Sequence, residues 1–151
     1  MIERYQTKDM KRIWSDQNKY DTWMKVELAA VEALMEEGIV PESSYEIIKK
    51  KAKFSVERTL EIEKTTNHDV IAFLTNLAEH IGPDSRYIHM GMTSSDLLDT
   101  SLALLCKEAG ELIQENDLGL GNGGTSTENP DELLLSKLRE NGFEIKQTAA
   151  D

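Results

Sequence analysis

Between residues 97 and 113 the chain places Leu97, Leu98, Leu102, Leu104, Leu105, Ala109, Leu112 and Ile113, which on a 3.6-residue period cover more than one face of a helix. A helix that is apolar nearly all round must be enclosed by other helices, so this segment alone requires a helical bundle. The segments before it are too short and too few to enclose it fully. The helix is therefore expected to begin near Ser94 and to continue into a bundle, within one chain or between subunits, that these residues do not encode. The predicted fold class is all-α: an N-terminal helical domain, the first part of a long bundle helix cut short, and a flexible tail.

Upstream, the pattern predicts five helices joined by tight turns. A short helix spans about 8–14 and a long one about 18–37. In the long one Met24, Leu28, Val31 and Met35 recur at helical spacing, widened by Tyr20, Trp23 and Ala30. Gly38 and Pro41 stop it. A third helix covers about 42–52, and a fourth covers 56–64 with Ser55 as its N-cap. The fifth runs from 69 to 80 with Val70, Leu74, Leu77 and Ile81 on one side, after which Gly82-Pro83-Asp84-Ser85 turns the chain. The run Lys49-Lys50-Lys51-Ala52-Lys53 suits a solvated helix C-terminus, where cations oppose the negative dipole end.

At Asp117 the character changes. Residues 118–127 hold four of the nine glycines and read as flexible linker. A short amphipathic helix is expected next, with Asn129 as N-cap, Pro130 at its first position, Leu134, Leu135 and Leu138 apolar, and Gly142 as stop. A strand-like Phe143-Glu144-Ile145 follows. The domain division expected is 1–93, 94–116 as the start of the bundle helix, and 117–151 unassigned, with the seam resembling a truncation or fusion junction.

Charge narrows the partners. The net charge of −11 argues against nucleic acid, because phosphate binding needs a basic surface. Residues 1–116 carry −7 and the remainder −4. Any site for an anion must concentrate a few cations against that field. No apolar run approaches the ~20 residues of a membrane span, and the start of the chain lacks the layout of a secretion signal. A single cysteine, Cys106, excludes an internal disulfide and, among Leu102, Leu104 and Leu105, is expected to be buried. A cytoplasmic protein is the expectation. With no HExxH or CxxC spacing, no metal site is predicted. The GxGxxG formed by Gly119, Gly121 and Gly124 follows no strand, so it is read as linker.

Two segments crowd imidazole, hydroxyl and carboxylate groups at helix starts: Thr65-Thr66-Asn67-His68-Asp69-Val70, and the stretch from His89 to Thr100. Thr66 with Asp69, and Thr93 with Asp96, each fit a capping box, and each could be no more than a helix cap. Together they suggest more. Unpaired N–H groups and the positive dipole end at a helix start bind anions. His68 follows a cap residue directly, where the dipole disfavours a cationic ring. His89 precedes Thr93 by four residues, and Gly91 permits close backbone approach. Such a pair of histidines suits proton transfer near neutral pH. His80, at a helix end with nothing around it, is read as structural.

With Met1-Ile2-Glu3-Arg4-Tyr5, these two segments resemble the N-terminal region of the bacterial-type adenylosuccinate lyases, in the fumarase/aspartase superfamily. The resemblance covers residues 1–116 continuously; the tail does not match. It implies a β-elimination in purine biosynthesis that releases fumarate from adenylosuccinate, giving AMP, and from SAICAR, giving AICAR, without a cofactor. A base takes a proton from the succinyl carbon while an acid protonates the departing nitrogen. By resemblance, Arg4 and Tyr5 contact the nucleotide. Asn67, His68 and Asp69 lie along the substrate, with His68 an acid or orienting group. Thr93 and Ser94 hold the succinyl carboxylate, and His89 lies towards the phosphate. The family enzyme is implied to be a longer, three-domain homotetramer whose sites draw on three subunits. A second catalytic histidine and a loop serine fall in parts these residues lack, so the chain alone is expected to be inactive. The alternative is a non-catalytic helical interaction module or a fusion fragment.

Overall fold

A computed structural model describes residues 7–115. Among them the fold is all-α, with six helices: α1 (Lys8–Ile13), α2 (Asp16–Glu36), α3 (Glu42–Lys51), α4 (Val56–Thr66), α5 (Asp69–Ile81) and α6 (Ser94–Glu115), plus a 3-10 turn at Pro83–Tyr87. The readings of Arg4, Tyr5 and the tail after residue 116 fall outside the described residues.

Local signals account for most boundaries. Thr7, Ser15 and Ser55 cap α1, α2 and α4, each side chain accepting a first-turn N–H. Gly38 and Gly82 take positive φ values of 74° and 82° where α2 and α5 end. The lysines Lys49, Lys50 and Lys51 occupy the last turn of α3 as expected. The Gly82–Ser85 turn extends into the 3-10 turn, with Pro83 at its first position.

One cap differs from the sequence reading. Thr66 does not cap α5. It is the last residue of α4, and its hydroxyl donates to the carbonyls of Ile62 and His68. Asn67 closes α4 in the left-handed conformation (φ 50°), which asparagine tolerates, and His68 becomes the N-cap of α5. Only these two residues separate the helices.

The core is aromatic at its centre. Phe73 of α5 stacks on Tyr20 of α2 with ring centroids 5.5 Å apart, and meets Trp23 and Phe54 edge-on at 5.5 and 5.7 Å. Val31, Val40, Tyr45, Ile48, Val70, Leu77, Ile81 and Leu97 complete it. The buried stripe of α2 runs through Tyr20, Trp23, Glu27 and Val31, while Met24, Leu28 and Met35 are only partly buried. The buried stripe is rotated slightly from the expected one, because the carboxylate of Glu27 takes a core position.

Polar ties join the helices. Buried Asn76 of α5 accepts the Ser55 backbone N–H at 2.8 Å, and Arg58 of α4 reaches Glu79 at 2.6 Å. Glu108 of α6 accepts from Arg12 at 2.8 Å and Asn18 at 3.0 Å, anchoring α6 to α1 and α2. Both bonds favour the charged form, Asn18 most, and hold the Glu108 carboxyl below its usual range. On α6 the buried positions are Leu97, Ser101, Leu105 and Ala109, a row at i, i+4. Cys106, one step round the helix, is exposed rather than buried. Leu102, Leu104 and Ile113 are exposed as well, so the all-round apolar helix is enclosed on one side only.

Candidate functional site

The α4–α5 junction delivers His68 in a defined state. Its Nδ1 accepts the Ile71 N–H at 3.4 Å and lies 3.6 Å from the Asp69 carboxylate. A neutral ring accepting at Nδ1 carries its hydrogen on Nε2. With the side chain 45% exposed, that N–H is available as a donor to a ligand. Asp69 is occupied locally, since Oδ1 accepts the Val70 N–H at 2.7 Å. Asn67 is exposed beside it and lines an open depression with Leu60, Glu63 and Lys64.

The loop before α6 holds His89 in the opposite sense. The Nδ1 of His89 lies 2.7 Å from Oε1 of Glu27, and its backbone N–H donates to Oε2 of the same carboxylate at 2.9 Å. Glu27 comes from the middle of α2 and is 0% exposed, whereas His89 is 17% exposed. A carboxylate accepts only, so Nδ1 carries the hydrogen and a neutral His89 presents a lone pair at Nε2. The two rings thus use Nδ1 in opposite senses, His68 accepting a backbone N–H and His89 facing a buried carboxylate, so that as neutral imidazoles one turns an N–H donor outward and the other a lone pair. Burial pushes the Glu27 carboxyl above its usual range, against the His89 ring bond, ring charge and backbone N–H, which pull it down.

His89 adopts φ 62°, left-handed backbone that is uncommon for a non-glycine residue, and Gly91 follows at φ 77°. The two Glu27 bonds fix that conformation. Sequence reasoning missed Glu27. Its signal was present, a carboxylate at the i+4 step of an otherwise apolar Tyr20, Trp23, Val31 stripe.

The capping box at α6 forms as expected. Thr93 donates to Oδ2 of Asp96 through its N–H at 2.7 Å and its hydroxyl at 2.8 Å, and the Asp96 N–H points back to Thr93 Oγ1 at 3.4 Å. These bonds, the Thr93 backbone N–H first, hold the Asp96 carboxyl below its usual range. Thr93 is thus engaged by the cap, which leaves the first-turn amides of Ser94 and Ser95 without intrahelical partners. Among the described residues no hydrogen bond or ion pair links 66–69 to 89–96. An apolar cleft of about 310 Å³, lined by Ile13, Trp14, Trp23, Leu98, Leu102 and Leu105, contains none of these residues. No cluster of potential metal ligands occurs among the described residues, and no helix there is long and apolar enough to cross a membrane.

Comparison with known proteins agrees with this architecture. A family model described as lyase matches residues 3–118. The adenylosuccinate lyase of Synechocystis sp. is 52% identical over 115 residues, which is 76% of this chain and 27% of that protein. The adenylosuccinate lyase of Bacillus subtilis is 41% identical over 113 residues, 75% of this chain and 26% of that one. The chain thus spans about a quarter of the length of these relatives. The crystal structure of fumarate lyase from Mesorhizobium sp. BNC1 superposes with a TM-score of 0.65 at 24% identity, covering 70% of this chain and 26% of that one, a likeness of fold. The chain belongs to the lyase family, and residues 3–118 are the part that matches it.

Proposed function

We propose that residues 1–116 form one side of the substrate site of a carbon–nitrogen lyase that eliminates fumarate from adenylosuccinate and SAICAR. Residues 1–93 are its N-terminal domain and 94–116 the start of its central bundle helix. His68, with Nε2–H outward, is the orienting group beside the substrate or, when its ring is protonated, the acid, flanked by Asn67 and Asp69. His89 lies towards the phosphate, which its outward Nε2 meets as a donor when the ring is protonated. Thr93 and Ser94 frame the α6 entrance for the succinyl carboxylate, with the Ser94 and Ser95 amides as donors. Arg4 and Tyr5 take the nucleotide. The observation that most supports this reading is the placement of two partly exposed histidines at two helix entrances of a lyase-family chain, one bonded to a backbone N–H and the other to a buried carboxylate.

By the same reading the 151 residues hold substrate without turning it over, and the family's longer enzymes work as cytoplasmic tetramers. The exposed Leu102, Leu104 and Ile113 favour a second reading, a helical interaction module without ligand.

Calorimetric titration separates the two. Adenylosuccinate and AMP should bind saturably, and Arg4→Ala should weaken binding roughly ten- to a hundredfold, the loss of a charge-assisted contact. Absence of heat with both nucleotides supports the module instead. Substantial fumarate release by the purified chain contradicts the proposed inactivity.

A further inference from the structure

The ring of His89 is held by a buried carboxylate 62 positions earlier in the chain. We infer that Glu27 is the positioning residue for His89, holding the ring as the Nδ1–H tautomer so that Nε2 is the one nitrogen offered to a ligand. This inference rests on the proposed role of His89 but is tested without it.

Three observations support it. Both oxygens of Glu27 are used on one residue, the backbone N–H at 2.9 Å and Nδ1 at 2.7 Å, so ring and backbone are fixed together. Glu27 is 0% exposed, so water does not compete for these bonds. No protein partner occupies Nε2 among the described residues, although the ring reaches the surface. A carboxylate serving only to tie the loop would need the backbone bond alone. The added Nδ1 contact excludes the Nε2–H form, which would bring a lone pair against a carboxylate oxygen. Second partners of this kind set the tautomer of functional histidines generally.

The test reads the tautomer directly, by long-range nitrogen–proton NMR of the ligand-free 151-residue chain at a pH where His89 is neutral. The wild type should show the hydrogen on Nδ1. In Glu27→Gln, the amide has one acceptor and one N–H₂ donor in the same shape. The acceptor keeps the backbone N–H, the donor faces Nδ1, and the hydrogen should move to Nε2. A wild-type His89 protonated at Nε2 overturns the inference, and so does a Glu27→Gln variant that keeps Nδ1–H. If Glu27→Gln does not fold, the wild-type spectrum alone decides. Neither spectrum involves nucleotide, so failure of adenylosuccinate to bind would sink the substrate reading and leave this result standing.

Discussion

Phe73→Ala should lower the stability of the helical unit by about 3–5 kcal/mol, measured by urea unfolding. Phe73 is 0% exposed and touches three aromatic rings at once, so its removal opens a cavity that no single neighbour can fill. The stacked pair with Tyr20 and the edge contacts with Trp23 and Phe54 each add about 0.5–1.5 kcal/mol beyond area burial. Against a domain stability of about 5–15 kcal/mol, that loss is a large fraction of the whole. Phe73→Leu, which keeps most of the volume, should cost less than half as much. A loss below about 1 kcal/mol for Phe73→Ala would mean that the aromatic cluster is not the centre of the core.

His89→Ala should cost about 3 kcal/mol near pH 8 and much less near pH 5, because it strands Glu27 as a buried carboxylate without its ring partner. The sign follows from linkage. Glu27 already has a folded pKa above its ordinary value of 4.5. A group raised on folding binds more protons in the native state, so its contribution is intact below about 4.5 and is lost as pH rises through the folded value. Removing the imidazole deletes its hydrogen bond and its charge, the two largest influences lowering that value, and leaves burial opposed by the backbone N–H alone. The folded value therefore climbs further, and the deficit relative to wild type grows with pH by at most about 1.4 kcal/mol per unit. Protonation of Glu27 limits the cost at the acid end. Unfolding curves at pH 5 and pH 8 check this, and an equal deficit at both contradicts it. His89→Gly should be about 1 kcal/mol more stable than His89→Ala, since glycine adopts the positive φ without strain.

The helices were legible because their signals are local. Serine caps, glycine stops and 3.6-residue apolar recurrence lie within one segment, and the boundaries of α1 to α5 fall within a few residues of their predicted ends. What escaped was relational. Glu27 stands in the buried stripe of α2, but its partner is a loop residue 62 positions later that only the fold brings to it. Thr66 fits a cap, and only the continuation of α4 through two more residues moves that position on to His68. Cys106 was expected inside because its neighbours are leucines, but a row at i, i+4 on α6 buries Ser101 and Ala109 instead. On a one-sided helix, neighbours in sequence are not neighbours in space.

The same distinction separates the two candidate segments. Each is fixed by its own hydrogen bonds, and what would unite them is a common anionic ligand. NMR of His68 and His89 during titration with adenylosuccinate tests this most directly. Both rings should shift along one saturable curve with a single dissociation constant, and both responses should weaken together in Arg4→Ala. Movement of only one ring, or of neither, would contradict a shared substrate site at the starts of α5 and α6.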